Sequence, residues 1–272
     1  MFLESIRRSW YDVAMNIISW NVNGIRALER KGQFDWLLQK SPDIFCLQET
    51  KARPEQLEET LLSPAGYHSY FSSHKLKKGY SGTALYCKVK PDTVTYGLGL
   101  EEFDCEGRMV IAQFGKTLIM NVYFPNGGGG PVRLDYKLRF YDAFLDYCLA
   151  KRTEGFEIII LGDVNTAHEE IDLARPQSNS THTGFLPEER AWLDEVLRSG
   201  FVDTFRELYP RLANAYTYWD QKTYARERNV GWRIDYFLVT PGIASKIVDI
   251  IHHVEVTGSD HCPLELILKD TL

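Results

Sequence analysis

The 272 residues contain no apolar run near the ~18 that a membrane span requires. They also contain no low-complexity tract, no Pro- or Ser-rich linker and no block of like charge. No segment therefore reads as a span, a tether or a charged tail. Cysteine is scarce. Cys46, Cys87, Cys105, Cys148 and Cys262 are odd in number and well separated, which excludes a disulfide framework or a zinc pattern. They are expected to be small buried hydrophobes in a reducing compartment. Positive charge is short as well: 31 Lys and Arg face 37 Asp and Glu, for a net charge of −6. Bulk charge alone would not hold nucleic acid. A net negative charge does not exclude an enzyme acting on phosphates, since metal-binding carboxylates would add negative charge where a phosphate must come. Residues 1–14 carry Arg7 and Arg8 without a signal-like apolar core and are expected to form a short extension. Residues 15–272 are expected to form one domain of an intracellular protein.

What is present is a core-forming chain, 44% hydrophobic, organised around residues 157–168. Ile158-Ile159-Ile160-Leu161 reads as a strand buried on both faces. Gly162 allows a tight turn, and Asp163 and Asn165 follow at the strand's carboxyl end, where α/β folds place ligands. At i and i+2 of an extended stretch, the carboxylate and the amide aim at one point. An Asx turn would explain that pair by itself.

The same design recurs along the chain. A strand over 15–20 ends in Asn21-Val22-Asn23-Gly24, and a strand over 43–48 delivers Glu49. Spacing predicts helices over 31–40, 54–62, 132–150 and 187–199, the third with Leu134, Leu138, Tyr141, Leu145 and Leu149 on its apolar face. Gly115-Lys116 joins apolar strands 108–114 and 117–124 as a hairpin. Tyr123-Phe124-Pro125-Asn126 then leads into Gly127–Gly130, a loop with no packing role of its own. Further strands are expected at 83–89, 216–219, 232–240 and 264–268, with Asp235 inside one and Asp260-His261 before the last. The echo of strand, Asn-X-Asn or Asp-X-Asn, then helix suggests a duplicated layer that pairs Asn21/Asn23 with Asp163/Asn165. Oxygen ligands without clustered Cys or His suit Mg²⁺ or Mn²⁺. An Asp, a His–Asp pair, amides and a Tyr beside such an ion suit attack of water on a phosphodiester.

Seven segments carry a resemblance in order: Trp20-Asn-Val-Asn-Gly-Ile-Arg-Ala27, Leu47-Gln-Glu-Thr-Lys51, Gly79-Tyr-Ser-Gly82, Tyr123-Phe-Pro-Asn126, Gly162-Asp-Val-Asn165, Trp232-Arg-Ile-Asp-Tyr-Phe237 and Gly258-Ser-Asp-His-Cys-Pro263. The ordered set, spanning about residues 15–268, resembles the exonuclease III family of apurinic/apyrimidinic (AP) endonucleases. The resemblance implies a four-layered α/β sandwich, two packed mixed sheets flanked by helices. It also implies Mg²⁺-dependent cleavage of double-stranded DNA on the 5′ side of an abasic site, leaving a 3′-hydroxyl, by a monomer without a membrane partner. By position, Asp163 would deprotonate the attacking water, and Asn165 would hold that water or the oxyanion. His261, oriented by Asp235, would bind the scissile phosphate. Asn21, Tyr123 and Asn126 would grip phosphate oxygens or support the leaving group.

The resemblance makes Glu49 and Asp260 the main metal ligands, with Asn21 and Asn23 nearby. A second metal position would use Asp163, Asn165 and His261. DNA would be gripped by Asn126, Arg26, Lys51, Tyr80, Gly127 and Arg228, with Lys75, Lys77, Lys78 and Arg226 as further cationic contacts. Tyr218, Trp232 and Ile234 match the family's abasic pocket. Two features depart from the family. Asn23 stands where some relatives carry Asp, and Gly127–Gly130 stand where some carry a long wedging side chain. The wider superfamily also includes phosphatases and phosphodiesterases acting on small phosphorylated substrates. A non-catalytic DNA-binding module is the third reading.

Overall fold

Alternating side chains build the molecule in four layers. In β1 (Ala14–Asn21), Met15 and Ile17 face one way and Ile18 and Trp20 the other. The computed structural model describes residues 14–270, so the N-terminal extension lies outside the described residues except for its last position. Beyond β1 come β2 (Ile44–Gln48), β3 (His68–Ser72), β4 (Thr83–Cys87), β5 (Thr93–Thr95), β6 (Met109–Phe114), β7 (Thr117–Tyr123), β8 (Glu157–Asp163), β9 (Val202–Asp203), β10 (Asp235–Val239), β11 (Ile247–His252) and β12 (Leu264–Lys269). Among the described residues they form two six-stranded sheets, in the orders β11-β12-β1-β2-β4-β3 and β5-β6-β7-β8-β10-β9.

Inward residues of both sheets, among them Ile17, Cys46, Ile119, Ile159, Leu161 and Leu266, form the middle core. Outward residues of the first sheet pack on the helices Ile25–Arg30 and Phe34–Lys40 through Leu28, Phe34 and Leu37. Those of the second sheet pack on the helices Pro131–Thr153 and Pro187–Arg198 through Phe140, Phe144 and Trp192. Each such buried side chain contributes about 1.5–3 kcal/mol. The strand 157–163 is covered on both faces, as its composition indicates. All five cysteines are free, and four are buried.

The duplication is real in topology but pairs different strands. Each sheet has one parallel pair, β1–β2 and β7–β8, flanked on both sides by antiparallel neighbours. Chain order therefore makes β7 the counterpart of β1, and β8 that of β2. Asp163 is therefore matched by Gln48, the residue before Glu49, and Asn21 by Tyr123.

Several expected elements differ. The helix expected over 31–40 starts only at Phe34, after a separate helix Ile25–Arg30, and 54–62 holds a 3₁₀ turn and a four-residue helix. Residues 216–219 pair only through single bridges at Tyr218, and β10 begins at Asp235. The long helix turns Lys137, Phe140, Tyr141, Phe144, Leu145 and Cys148 inward, while Leu134, Leu138 and Leu149 are only half-buried. Tyr141 and Leu145 of the expected face are buried, and the inward stripe is rotated toward Lys137, Phe140 and Phe144, with a lysine lying on it. Gly162 is no turn: it lies within β8, where a Cβ would meet the Val122 carbonyl oxygen at 2.0 Å. Glycine there lets β7 and β8 approach closely.

A buried ionic cluster fixes the segment before β10. Fully buried Arg233 donates to Asp172 at 2.8 and 3.0 Å and pairs with Asp203 at 2.8 Å, and Arg206 joins Asp172. Burial would raise Asp172, but the two guanidinium groups hold it down at about 2. A lowered carboxylate stabilises the fold fully above its ordinary value near 4 and loses that contribution as pH falls through about 2. Asp172→Asn should therefore cost about 3–5 kcal/mol at pH 7, since it strands buried charge. Urea unfolding at pH 7 and pH 2 checks this. An equal difference from the native chain at both values would contradict it.

Candidate active site

The carboxyl ends of β1, β2, β7 and β8 open on one edge of the sandwich. Register does the placing: Tyr123 pairs with Asp163, and Asp163 with Asp235 at the start of antiparallel β10. The segment before β12 brings Asp260 and His261 to the same edge. The resulting cleft, of about 380 Å³, includes Asn21, Glu49, Asp163, Asn165, Asp260 and His261 in its lining. Glu49, Lys51, Asn23 and Asn165 all sit at positive φ, between 47° and 57°. Asn tolerates that region through local hydrogen bonds, whereas Glu and Lys do not, so the strand ends store strain at the site.

Asp163 is buried. Its Oδ2 accepts from the Asn21 amide at 2.8 Å and the Asn165 amide at 3.2 Å, and its Oδ1 accepts from the Asn165 backbone N–H at 2.8 Å. Burial pushes this carboxyl up to about 7, against the pull of His261. His261 Nδ1 bonds Asp235 Oδ2 at 2.8 Å, leaving Nε2 3.9 Å from Asp163 Oδ2. Burial would lower the imidazole, but Asp235 first, then Asp163 and Asp260, raise it to about 10. Thr217 Oγ1 donates to the same Asp235 oxygen at 2.6 Å, so the imidazole's partner is itself held.

The Tyr123 hydroxyl donates to Glu49 at 2.7 Å, and the Asn126 amide donates to Asn165 at 2.9 Å. Lys51 Nζ donates to Asn23 Oδ1 and lies 3.6 Å from Glu49, while the Asn23 amide nitrogen faces both Asp260 oxygens at 3.0 and 3.1 Å. One carboxylate, Glu49, and the Asn23 amide oxygen thus face a cation, the Lys51 ammonium, while Asp260 faces the Asn23 amide nitrogen. A hard divalent ion fits this all-oxygen donor set. Asn23 would need to turn its amide over to face an ion with oxygen on the Asp260 side. Asp163, Asp235 and His261 also cluster closely enough to share an ion.

The turn after β8 is braced from behind. Buried Lys137 donates to the Asn165 carbonyl at 2.8 Å, Thr166 at 2.9 Å and buried Glu189 at 2.6 Å. Glu189 also accepts from Thr183 and the Gly184 N–H, which line the cleft. A Cβ on Gly127 would come within 2.2 Å of Thr183 Oγ1, so the glycine loop does have a packing role, at its first residue.

Tyr218 and Trp232 exchange backbone hydrogen bonds at 2.9 Å, and the Tyr218 ring lies 4.9 Å from His261. With Ile234 they form an apolar wall of the cleft. The outer cationic candidates are more dispersed. Arg26 and Arg228 are exposed, and Tyr80 accepts from Arg133 at 3.0 Å beneath Lys77. Lys75 is paired with Glu101, and Arg226 donates to the carbonyls of Val254, Val256 and Ser259. Arg226 is held by these internal bonds, whereas the Lys75–Glu101 pair lies on the exposed surface. Sequence reasoning missed Thr217, Thr183, Gly184 and Asp220. Their roles arise from contacts between distant segments, and no local pattern marks them.

Facing mixed sheets with carboxylates, amides and a His–Asp pair gathered at one edge define a class of phosphoester hydrolases. The pattern of the Endonuclease/Exonuclease/phosphatase family matches residues 18–261, and the chain belongs to that family, in its exonuclease III branch. It is 45% identical over 256 residues to the Exodeoxyribonuclease of Bacillus subtilis (strain 168), covering 94% of this chain and 100% of that protein. It is 43% identical over 255 residues to the DNA repair nuclease APEX1 of Danio rerio, covering 93% of this chain and 82% of the relative. The solved AP endonuclease of Archaeoglobus fulgidus is similar at a TM-score of 0.85 and 31% identity, covering 93% of this chain and 99% of that one. Among the described residues no helix is long and apolar enough to cross a membrane.

Proposed function

We propose that this enzyme is a DNA-repair nuclease that hydrolyses the phosphodiester 5′ to an abasic site in double-stranded DNA. The observation that carries the reading is one cleft in which Asp163, Asn165 and the His261–Asp235 pair face a small apolar wall of Tyr218, Trp232 and Ile234. The catalytic groups alone would serve any phosphoester. The wall suits a sugar turned out of the helix without its base, and extrusion is cheapest where pairing is already lost.

In this reading Asp163 takes a proton from the attacking water, and Asn165 holds that water in line. His261, kept protonated by Asp235, donates to a phosphate oxygen. The water oxygen bonds to phosphorus, the P–O3′ bond breaks, and the departing O3′ takes a proton from solvent, leaving a 3′-hydroxyl and a 5′-phosphate on the abasic sugar. Asn21 and Tyr123 support the departing oxygen. Glu49 and Asp260 would hold Mg²⁺, or Mn²⁺ in its place, and the bound ion would neutralise charge on the phosphate and the leaving oxygen. The protein would act as a monomer inside the cell.

A duplex with a single abasic analogue tests this. Cleavage 5′ to the analogue is expected with Mg²⁺ or Mn²⁺, and loss of cleavage in EDTA. Full activity in EDTA would remove the metal from the mechanism. Hydrolysis of small phosphate esters with an intact duplex would favour the phosphatase reading.

The pocket makes a separate prediction. Trp232→Ala enlarges it and should lower the ratio of cleavage at abasic sites to cleavage at intact nucleotides on otherwise identical duplexes. An unchanged ratio in a folded variant would make Trp232 structural and move discrimination to DNA deformation.

A further inference from the structure

A second cavity, of about 340 Å³, opens beside the catalytic cleft and shares Asp220 and Asp260 with it. That volume is within the range of small-molecule sites. Trp219, Gln221, Tyr224, Arg226 and Glu227 also line it. Most of these are fixed from within the protein. The Arg226 guanidinium lies 4.7 Å from the Trp219 ring centroid, and its N–H groups are spent on three carbonyls. The Asp220 carboxylate accepts from the Lys222 backbone and from Thr223.

Tyr224 is the exception. It closes the 3₁₀ turn Gln221–Thr223 at φ +51, and its side chain is 73% exposed. Asn229 closes the next turn, Arg226–Arg228, at φ +47. There the residue type fits, because Asn tolerates the left-handed region, and this side chain also accepts from Trp219 and donates to the Asn214 carbonyl. A bulky residue at positive φ is a real outlier, and Tyr224 buries little in return. Neither local conformation nor packing selects tyrosine here, and such outliers concentrate at binding sites.

The chemistry of the lining restricts the ligand. Asp220, Glu227 and Asp260 repel a phosphate, and the guanidinium within the cavity is committed. A flat, uncharged ring with polar edges fits: every base offers a π-face to an aromatic ring, whatever the sequence. Exposed Gln221 offers an amide at the rim. We propose that this cavity receives a nucleobase flanking the abasic site, stacked on Tyr224. The proposal rests on the abasic-DNA reading of the neighbouring cleft, since the two sites share a wall.

The test uses abasic duplexes with 2-aminopurine at the 5′ neighbour, the 3′ neighbour or the opposite position, bound to the full chain in EDTA. A base that exchanges its duplex neighbours for Tyr224 changes its fluorescence. The native chain and Tyr224→Phe should give that change at one flanking position, and Tyr224→Ala should lose it while binding on the order of 10-fold more weakly. Tyr224→Gly accepts positive φ without strain and should behave as Tyr224→Ala, and thermal melting establishes that each variant is folded. An unaltered signal in Tyr224→Ala, or a change only at the opposite position, would overturn the base pocket. Cleavage by the native chain with Mg²⁺ is measured alongside. Its absence would overturn the abasic reading itself, whereas cleavage with an unaltered signal would overturn the pocket alone.

Discussion

Asp163→Asn should slow cleavage of an abasic duplex by about 10²–10⁴-fold, the usual worth of a positioned general base. The substitution keeps the shape of the side chain. Its remaining carbonyl oxygen can still accept from the Asn21 amide or the Asn165 N–H. What it removes is the proton acceptor. Burial has raised that carboxyl to about 7, which matches a base working near neutral pH. The rate of the native chain should accordingly rise as pH increases through about 7, and the variant should lack that limb. DNA affinity should survive or increase, because a buried negative charge facing phosphate has gone. Single-turnover rates and binding, measured separately, check both halves. A loss smaller than tenfold would move the base to another residue.

Asp235→Asn should have a comparable effect through the imidazole. Asp235 Oδ2 takes the His261 Nδ1 hydrogen bond at 2.8 Å, and its charge is the leading reason that His261 stays protonated up to about 10. Without that charge, burial prevails and the imidazole loses its proton at lower pH. The alkaline limb of the pH–rate profile should move from about 10 toward neutrality, with roughly a 10²-fold or greater loss at pH 8. His261→Gln should show the loss without the displaced limb. An Asp235→Asn profile with the native alkaline limb would show that Asp235 holds the ring by packing alone. Thr217 adds a graded control, since it donates to the same carboxylate oxygen at 2.6 Å. Thr217→Val should displace the limb less than Asp235→Asn does.

The metal-side residues follow a different logic. Lys51 sits among the oxygen donors that a divalent ion would use, 3.6 Å from Glu49. Its ammonium offsets part of the Glu49 charge. Asn23 completes that local balance without adding charge of its own. These residues lie at strand ends with positive φ, so their positions depend on the strand pairing behind them.

Local composition was enough for the elements whose signals are short-range. The apolar run Ile158–Leu161 had to be a buried strand, and Gly115-Lys116 had to close a hairpin, because period and turn chemistry are short-range properties. The ordered motifs also told which residues belong together: Asn21, Glu49, Tyr123, Asn126, Asp163, Asn165, Asp235, Asp260 and His261 do converge on one edge, or lie directly behind it. Tertiary structure decided what those residues touch. That Asp235 stands behind His261, that Thr217 holds Asp235, and that Lys137 and Glu189 brace the catalytic turn all depend on segments far apart in the chain. The same holds for the inward face of the long helix, where a buried lysine breaks the apolar stripe because its charge is met by Glu189 from another helix. Pairing of distant charges leaves no periodic trace in either segment, so only the folded chain could reveal it.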